Sequence, residues 1–290
     1  MSNHVKRPAS LRRSWVALSA ADLRLYSRAW ACTADALIAD LEDATPPHLR
    51  GKAREHLKAF VEGCRAARKI ACVRINPLET EGLTDLDATL SATPDVVLLP
   101  KTEFPQQITE LAAHMEKHAL GDGVEIVPNI ETAVGLVRTL AIASAHPRIS
   151  ACLMASEDMT TSLGAERGRD AVELQYARSR FLVECKAAGV VPIDCPYTFS
   201  DTEALELETR LARRMGYTAK SAVDITQASV INAFLTPSDE EVARARRIIA
   251  AFEQAHAEGR RVEVDGNFLE VPIYLNAKRL VERRDALDKP

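Results

Sequence analysis

Charged and amide side chains follow the ends of several short apolar segments in this sequence. In chain order they are Asp40, Glu42 and Asp43, then Arg74 and Asn76, then Lys101, Glu131, Asp158 and Asp194. Several carboxylates beside few cations are costly to bury unless a metal ion accompanies them. Carboxylate oxygens suit Mg²⁺, and the absence of a His and Cys cluster in the sequence argues against Zn²⁺. The residue types therefore predict a magnesium site.

Each of these side chains also has a simpler structural interpretation. An acidic residue after a strand often caps the next helix, and Glu131 or Asp158 could do only that. Arg74 could be a structural ion-pair partner of Glu42 or Asp43, and the lysine could be a solvated loop residue. The sequence leaves these alternatives open for each residue taken singly, whereas the whole set together favours a shared site.

Apolar, β-branched segments alternate with amphipathic stretches along most of the chain. Eight strands are predicted, at Trp15–Leu18, Ala36–Leu41, Ala71–Ile75, Asp95–Leu99, Glu125–Asn129, Ala151–Ala155, Val190–Ile193 and Thr218–Val223. Helical patterns lie between them, for example at Pro105–His118, Thr132–Ser144, Glu173–Ala188 and Thr202–Met215. This alternation predicts a (β/α)8 TIM barrel, with a doubly wound open sheet as the alternative. In a barrel the carboxyl ends of the strands meet at one mouth, so the charged side chains would share one pocket.

The C-terminal part of the sequence departs from this alternation. Ser238 and Glu241 form a capping-box pattern that predicts the start of a helix, which runs to about His256. An alternating stretch around Asp265-Gly266 predicts a hairpin, and a last helix begins near Pro272. We expect residues 1–237 to form the barrel and residues 238–290 to form a lid that packs on the barrel or on a neighbouring subunit, because so short a segment cannot build its own core.

Composition excludes several classes of protein. The 290 residues carry 37 Lys and Arg against 41 Asp and Glu, a net charge of −4, which does not suggest nucleic-acid binding. No apolar run is long enough to cross a membrane, and the basic N-terminal segment lacks the apolar stretch of a secretory signal. The 6 cysteines show no CxxC pattern, which predicts reduced thiols and a cytoplasmic location. Neither a Walker loop nor a GxSxG elbow is present.

Five short motifs resemble, in the same order, those of the citrate lyase β-subunit-like family. They are DLEDA at Asp40–Ala44, VRIN at Val73–Asn76, LLPK at Leu98–Lys101, IETA at Ile130–Ala133 and SED at Ser156–Asp158. Further similarity follows at Tyr176–Arg180, Ala187–Asp194 and Phe234–Val242, so the resemblance spans nearly the whole chain. The family belongs to the HpcH/HpaI aldolase and citrate lyase superfamily and includes citryl-, malyl- and citramalyl-CoA lyases.

The resemblance implies a reaction and a role for each matching residue. Such proteins are Mg²⁺-dependent barrels, typically homo-oligomeric (here a trimer or hexamer is expected), which cleave or form a carbon–carbon bond between an acyl-CoA and a 2-oxo acid. By resemblance, the direct Mg²⁺ ligands are Glu131 and Asp158, Glu42 and Asp43 hold its waters, Arg74 faces the enolate or the substrate carboxylate, and Lys101 and Asn76 help to bind substrate. A cation and a guanidinium at these positions suit the stabilisation of an enolate oxygen.

Three positions differ from the family pattern. Ser19-Ala20 stands where the family often has Pro-Gly after the first strand, and Val223-Asp224-Ile225 stands where it has Ile-His-Pro. The lid residue that a neighbouring subunit contributes, an aspartate in the acyl-CoA lyases, is Glu270 here. We expect Glu270 to transfer a proton, the alternative being that it only caps the final helix.

The leading hypothesis is therefore a lyase acting on a 3-hydroxyacyl-CoA such as citramalyl-, malyl- or citryl-CoA. Two alternatives remain: a class II aldolase for free 2-oxo acids that needs no CoA, and a subunit active only within a multi-subunit lyase complex. The acyl group, its stereochemistry and the physiological direction do not follow from the sequence.

Overall fold

The computed structural model describes residues 6–118 and 123–289, so the first five residues of the basic N-terminal segment lie outside it. Within the described chain, eight parallel strands form a closed barrel in sequential order. The first strand pairs with both the second and the eighth, which confirms the predicted barrel and excludes the open sheet. The strands are β1 (Ser14–Ser19), β2 (Ala36–Asp40), β3 (Ile70–Arg74), β4 (Val96–Leu99), β5 (Glu125–Ile130), β6 (Ala151–Met154), β7 (Val191–Asp194) and β8 (Ala219–Ala222).

Helices follow the strands and surround the barrel. They are α1 (Leu23–Ala31), α2 (Arg50–Ala66), α3 (Leu83–Ala92), α4 (Pro105–Glu116), α5 (Ala133–Leu136), α6 (Thr139–Ala143), α7 (Ser156–Leu163), α8 (Gln175–Ala188), α9 (Thr202–Met215) and α10 (Gln227–Leu235). The longer amphipathic ones bury one side: α2, for example, buries Leu57, Phe60 and Cys64, whereas Lys58 and Glu62 are exposed.

One predicted helix is divided in two. The sequence pattern over Thr132–Ser144 predicts a single helix, but α5 ends at Leu136 and α6 begins at Thr139. Between them Arg138 has φ −118° and ψ 7°, outside the helical range. In α5, Gly135 packs so closely against the loop after β4 that a Cβ would lie 2.6 Å from the carbonyl oxygen of Thr102. This close approach holds α5 against that loop, and α6 packs against α8.

The barrel interior is a packed core that determines which side chains reach the mouth. Alternate residues of each strand point inward, among them Ile38 of β2 and Cys72 of β3, both part of the buried core cluster. Two residues further along the same strands, Asp40 and Arg74 lie on the same inward face and are register partners. The alternation that fills the core therefore also directs these charged side chains into the barrel at its carboxyl end.

Ion pairs close the opposite end of the barrel. Arg12, which is almost fully buried, donates two hydrogen bonds to the carboxylate of Glu125 at 2.7 and 2.8 Å. Asp35 accepts from the side chains of Arg7 at 2.7 Å and Arg13 at 2.9 Å. Bidentate arginine–carboxylate pairs of this kind fix the segment that leads into β1.

The chain divides into two compact units, one up to Ala233 and one from Phe234 onward. The second unit contains two helices, α11 (Asp239–Ala257) and α12 (Val271–Leu287), which pack against each other and are joined by a short hairpin of β9 (Glu263–Val264) and β10 (Asn267–Phe268). Both halves of the capping box at Ser238 and Glu241 are formed. Asp265 and Gly266 have φ of 52° and 77°, as the tight hairpin turn requires.

No helix in the described ranges combines the length and the apolar character that crossing a membrane requires.

Candidate active site

A cavity of about 530 Å³ opens at the carboxyl ends of the barrel strands. The carboxyl ends of β1, β2 and β3 line it together with the loops after β2, β6, β7 and β8, and four of the charged residues expected at the mouth are among the lining side chains: Asp40, Asp43, Arg74 and Asp158. The barrel therefore brings together residues that are widely separated in the sequence.

Arg74, the last residue of β3, is held by Asp40 at the end of the neighbouring strand. Its Nε and Nη2 donate to the two carboxylate oxygens of Asp40 at 2.7 and 2.5 Å. The remaining nitrogen, Nη1, lies 3.2 Å from Glu42 and 3.9 Å from Glu131. Burial works against the guanidinium charge, but the Asp40 and Glu42 carboxylates outweigh it and raise the pKa of Arg74. Arg74 is thus a permanently charged group with one edge fixed and the other directed at the carboxylates.

Glu42 lies at the centre of this group of charges. It is 3% exposed, and besides Arg74 it contacts the ammonium group of Lys101, which donates to its Oε1. Burial raises the pKa of Glu42, while Arg74 and Lys101 oppose that rise. Lys101 has φ 48°, a left-handed backbone that is unfavourable for lysine and turns it towards Glu42 and Asp43. Asp43 itself is more exposed, 3.8 Å from the ammonium nitrogen.

Glu131 follows β5 and is fully buried, yet neither of its carboxylate oxygens accepts a hydrogen bond. Burial raises its pKa to about 8. Arg74 opposes the rise, the negative charges of Glu42 and Asp158 add to it, and the nearby side-chain amide of Asn129 lowers the pKa by the smallest amount. Buried carboxylates normally accept hydrogen bonds or coordinate a cation. Glu131 is therefore a buried carboxylate that is short of hydrogen-bond donors: Arg74 lies 3.9 Å away and the amide of Asn129 is nearby, but neither makes a well-formed bond to it.

The donor set at this point fits a divalent cation with oxygen ligands. Glu131 offers two oxygens that accept no close hydrogen bond, Asp158 is half-buried in the cavity lining and its charge reaches Glu131, and Glu42 and Asp43 are nearby carboxylates. Hard carboxylate oxygens with space for water are the usual environment of Mg²⁺. A cation here would also offset the repulsion between Glu131 and its acidic neighbours.

Asn76 has a different environment from the other expected site residues. It is 2% exposed, and its side-chain amide donates to the backbone carbonyl of Leu41 at 3.0 Å and to Asp85 at 2.7 Å. Its amide hydrogens are thus both engaged by the protein; like Glu42 and Glu131, Asn76 does not itself line the cavity. The structure assigns it contacts with the loop that carries Glu42, where the sequence interpretation expects contact with substrate.

Asp194 does not join the mouth, contrary to the expectation from the sequence. Its neighbour Ile193 points into the barrel core, so Asp194 points outward to the helix layer. There Arg178 donates to it at 2.9 and 2.7 Å and Lys220 at 2.8 Å. Asp194, Cys195 and Glu208 bring ligand atoms within 4.8 Å of one another, but Lys220 also donates to Glu208 at 2.8 Å, so a lysine ammonium already occupies the position of a cation.

Sequence reasoning assigned no role to Asp40, which has two. Besides binding Arg74, its carboxylate accepts from the backbone N–H groups of Glu42 and Ala44, both at 2.9 Å. Asp40 therefore fixes the guanidinium and the loop of Glu42 together. The available signal was its spacing: it stands two residues after the inward-facing Ile38 in a strand that is otherwise entirely apolar.

Ser19-Ala20, which stands where the family often has Pro-Gly, is held by hydrogen bonds to the loop after β2. The hydroxyl groups of Ser19 and Thr45 are 3.0 Å apart, and Thr45 also accepts from the N–H of Ala20 at 3.1 Å. In the loop after the adjacent strand β8, Asp224 accepts from Thr226, directly before α10. Ser19 and Asp224 both line the cavity.

Glu270 lies in the second compact unit, directly before α12. It occupies the N-cap position, but its side chain makes no capping hydrogen bond. The simpler interpretation, in which Glu270 serves to cap the final helix, therefore finds no support in its side-chain contacts.

Comparisons with known proteins identify the family and agree with the fold. A family model described as HpcH/HpaI aldolase/citrate lyase matches residues 13–225. The chain is 32% identical over 267 residues to a (3S)-malyl-CoA thioesterase of Cereibacter sphaeroides, with 91% of each chain covered. It is 28% identical over 288 residues to the citrate lyase subunit beta of Escherichia coli, covering 97% of this chain and 95% of the relative.

Solved structures give the same result. The CitE protein of Mycobacterium tuberculosis, crystallised with magnesium, acetoacetate and coenzyme A, superposes with a TM-score of 0.79 at 26% identity, covering 95% of this chain and 98% of that one. A citrate lyase from Burkholderia xenovorans has a TM-score of 0.83 at 19% identity, over 97% and 93% of the two chains, which shows the shared fold alone. With its barrel, its ordered motifs and a family match over most of its length, this chain belongs to the HpcH/HpaI aldolase/citrate lyase family.

Proposed function

We propose that the protein is a Mg²⁺-dependent carbon–carbon lyase that cleaves, or forms, a 3-hydroxyacyl-CoA such as citramalyl-, malyl- or citryl-CoA. The products of cleavage are an acyl-CoA and a 2-oxo acid. The observation that carries the proposal is the buried Glu131 carboxylate, which has no hydrogen-bond donor and lies between Arg74 and further carboxylates. Its family relatives include a citrate lyase subunit and a structure with magnesium and coenzyme A.

Glu131 and Asp158 would bind the Mg²⁺ ion directly, and Glu42 and Asp43 would hold its water molecules. When bound, the ion supplies positive charge to the oxygen atoms of the oxo acid, both its carboxylate and its carbonyl. The four carboxylates come from three different loops, so the barrel must be folded before this set of ligands exists.

Arg74 would bind the carboxylate or the developing enolate oxygen of the substrate through its Nη1 edge. Two of its nitrogens are already bound to Asp40. The guanidinium is therefore oriented before substrate binds, and little further conformational entropy is lost on binding. Lys101, half-exposed beside Glu42, is a second cation that would contact substrate at the rim.

In the cleavage direction, the substrate hydroxyl loses its proton, the adjacent carbon–carbon bond breaks and the oxo acid's carbonyl forms. The electron pair passes to the enolate of the acyl-CoA, which then takes up a proton at carbon. We assign both transfers to Glu270, contributed by a neighbouring copy in a homo-oligomer, a trimer or hexamer: its carboxylate takes the hydroxyl proton, and the resulting carboxyl group gives a proton to the enolate carbon. The absence of a capping bond from Glu270 in its own helix is consistent with this assignment.

Thioester hydrolysis is a second candidate, because a relative 32% identical over nearly the whole chain is a (3S)-malyl-CoA thioesterase. Hydrolysis would release free coenzyme A and a hydroxy acid, whereas the lyase reaction keeps the thioester intact in the acyl-CoA product. The two reactions therefore differ in a product that is easily measured.

The test is a panel of citramalyl-, malyl- and citryl-CoA incubated with the purified protein and Mg²⁺. We expect a 2-oxo acid, trapped as its phenylhydrazone, without release of free thiol. Free thiol without oxo acid would favour the thioesterase, and neither product would overturn both candidates.

The two alternatives from the sequence have their own controls. A reaction of pyruvate with an aldehyde in the absence of CoA would identify an aldolase for free oxo acids. Activity that appears only on addition of partner subunits would identify a component of a multi-subunit lyase.

A further inference from the structure

A chain of buried hydrogen bonds connects the outer helices to the loop that carries Glu42. It begins at Arg54 of α2, whose Nε donates to Oδ1 of Asp85 in α3 at 2.6 Å. The other oxygen of Asp85 accepts from the backbone N–H of Asn76 at 2.8 Å and from its side-chain amide at 2.7 Å. The same amide group donates to the carbonyl of Leu41 at 3.0 Å, one residue before Glu42.

Asp85 and Asn76 in this chain of hydrogen bonds are buried, so an unpaired polar atom there would be costly. Asp85 is 0% exposed and Asn76 is 2% exposed, and both carboxylate oxygens of Asp85 accept hydrogen bonds. A buried carboxylate satisfied in this way holds its donors in one geometry, because any movement leaves a charge unpaired. Asp85 therefore restrains Asn76 in both its backbone and its side chain.

Close packing of the backbone around Asn76 restrains this residue further. A Cβ added to Gly82 would lie 2.4 Å from the carbonyl oxygen of Asn76, so only glycine fits there. The segment Leu78–Gly82 between Asn76 and α3 is a kinked turn, in which Thr80 is non-helical with φ −116° and ψ −111° and the N–H of Gly82 donates to the carbonyl of Pro77 at 3.1 Å.

We propose that Asp85 is a positioning residue, which acts through Asn76 to hold the backbone of Leu41 and thereby the carboxylate of Glu42. This inference rests on the proposed function, in which Glu42 holds water molecules of the metal ion. Asp85 contacts neither substrate nor metal. Through Asn76, Asp85 fixes the position of the loop after β2 relative to the end of β3, where Arg74 lies. This connection adds to the direct Asp40–Arg74 pair.

The experiment compares Asp85→Asn and Asn76→Ala with the wild-type protein, using Mn²⁺ as the probe in place of Mg²⁺. Mn²⁺ affinity is measured by electron paramagnetic resonance without substrate, and amide hydrogen exchange is measured over residues 40–45. We expect the Mn²⁺ Kd to rise about 10-fold in both variants, as for other residues that orient metal-site groups, and exchange in the loop to accelerate. The double variant should be no weaker than the single ones, because both changes break one chain.

Glu81→Gln is the matched control. Glu81 binds Arg50 and the same Arg54, but it is 40% exposed and has no bond to Asn76. This variant should keep wild-type Mn²⁺ affinity, kcat and KM.

Unchanged Mn²⁺ affinity and loop exchange in both Asp85→Asn and Asn76→Ala would overturn the inference, even if both proteins melt at lower temperature. If Asp85→Asn does not fold, Asn76→Ala decides alone, since it leaves the Arg54–Asp85 pair in place. A wild-type protein that binds no Mn²⁺ would instead overturn the proposed function, and the inference with it.

Discussion

The charge balance at the mouth depends on individual residues with unequal environments. Carboxylates outnumber the cations Arg74 and Lys101 there, and Glu131 has the least favourable surroundings, because it is buried and neither of its oxygens accepts a well-formed hydrogen bond. Because Glu131 lacks hydrogen-bond donors, its carboxylate oxygens are suited to bind a cation. Arg74 is the opposite case, a cation with more negative partners than it can bind at once.

Replacing either expected ligand should remove metal binding without unfolding the protein. For Glu131→Gln and Asp158→Asn we expect Mg²⁺ affinity to fall at least about 100-fold and turnover to be lost, since changing residues behind the ligands already costs about 10- to 100-fold. Calorimetric titration with Mg²⁺ measures the affinity. Burial disfavours the charged form of Glu131 and raises its pKa to about 8, so the melting temperature of Glu131→Gln without Mg²⁺ should equal that of the wild type near pH 7 and exceed it above pH 8, where the wild-type carboxyl is charged. Unaltered Mg²⁺ affinity in both variants would contradict the assignment.

Arg74→Lys should reduce kcat/KM by at least about 100-fold although the charge is retained. A lysine ammonium cannot bind both oxygens of Asp40 and also present a nitrogen to substrate in a fixed direction. Steady-state kinetics checks this. The matched control is Arg178→Lys, which breaks a similar bidentate pair with Asp194 outside the barrel; it should lower the melting temperature and leave kcat/KM near wild type. Near wild-type turnover in Arg74→Lys would reduce Arg74 to a structural ion-pair partner.

At the scale of elements, the strands distribute residues between two environments by alternation. Asp40 and Arg74 share the inward face with the core, whereas Asp194 and Lys220 lie on the outward face and pair under the helices. The charged residues at the strand ends therefore form two separate groups in this barrel. One group lies at the mouth, and the other forms a buried network between the strands and the outer helices. Only the inward set can meet substrate.

The amino end of the barrel should make folding stability sensitive to acid. Burial favours a higher pKa for Glu125, but the bonds from Arg12, with Lys6 and Ser150, outweigh burial and lower the pKa to about 2. In the unfolded chain a glutamate titrates near its ordinary value, so protons bind the unfolded state more readily than the native state. This contribution is complete above about pH 5 and is lost as the pH falls towards 2; its size is about 2–3 kcal/mol.

Glu125→Gln provides the comparison. The difference in unfolding free energy between wild type and variant, measured by urea denaturation, should be largest at pH 6–7 and shrink steadily between pH 5 and pH 2. A difference that stays constant over that range would show that Glu125 is not the group responsible.

At the scale of the whole molecule, the second compact unit raises the question of assembly. Around its hairpin and the start of α12, Phe268 is 66% exposed and Val271 is 55% exposed. Large apolar side chains exposed together commonly mark a surface that meets another protein. Glu270 lies between them in sequence, which is why a shared site between copies is proposed.

Mixing two inactive variants tests whether copies share a site. Glu270→Ala and Asp158→Asn should each be inactive, and reassembly of a mixture should restore part of the activity, because some mixed sites contain both intact groups. The measurement is lyase rate after joint unfolding and refolding, with each variant refolded alone as the control. A monodisperse monomer by light scattering, or full activity in Glu270→Ala, would contradict sharing.

Much of the fold and of the candidate site followed from the sequence alone. Apolar segments alternating with helical patterns predicted the barrel, because a parallel sheet must be covered on both faces, and charged residues at the strand ends identified Arg74, Glu42 and Glu131 as neighbours at its mouth. The tertiary structure decided which atoms meet: that Asp40 holds Arg74, that Asn76 binds Leu41 and Asp85, and that Asp194 turns away to Lys220. Those contacts depend on strand register, on whether a side chain points inward or outward, and on burial by distant parts of the chain. The residue pattern of one strand does not fix its register or its inward face until the strands have paired in the closed barrel.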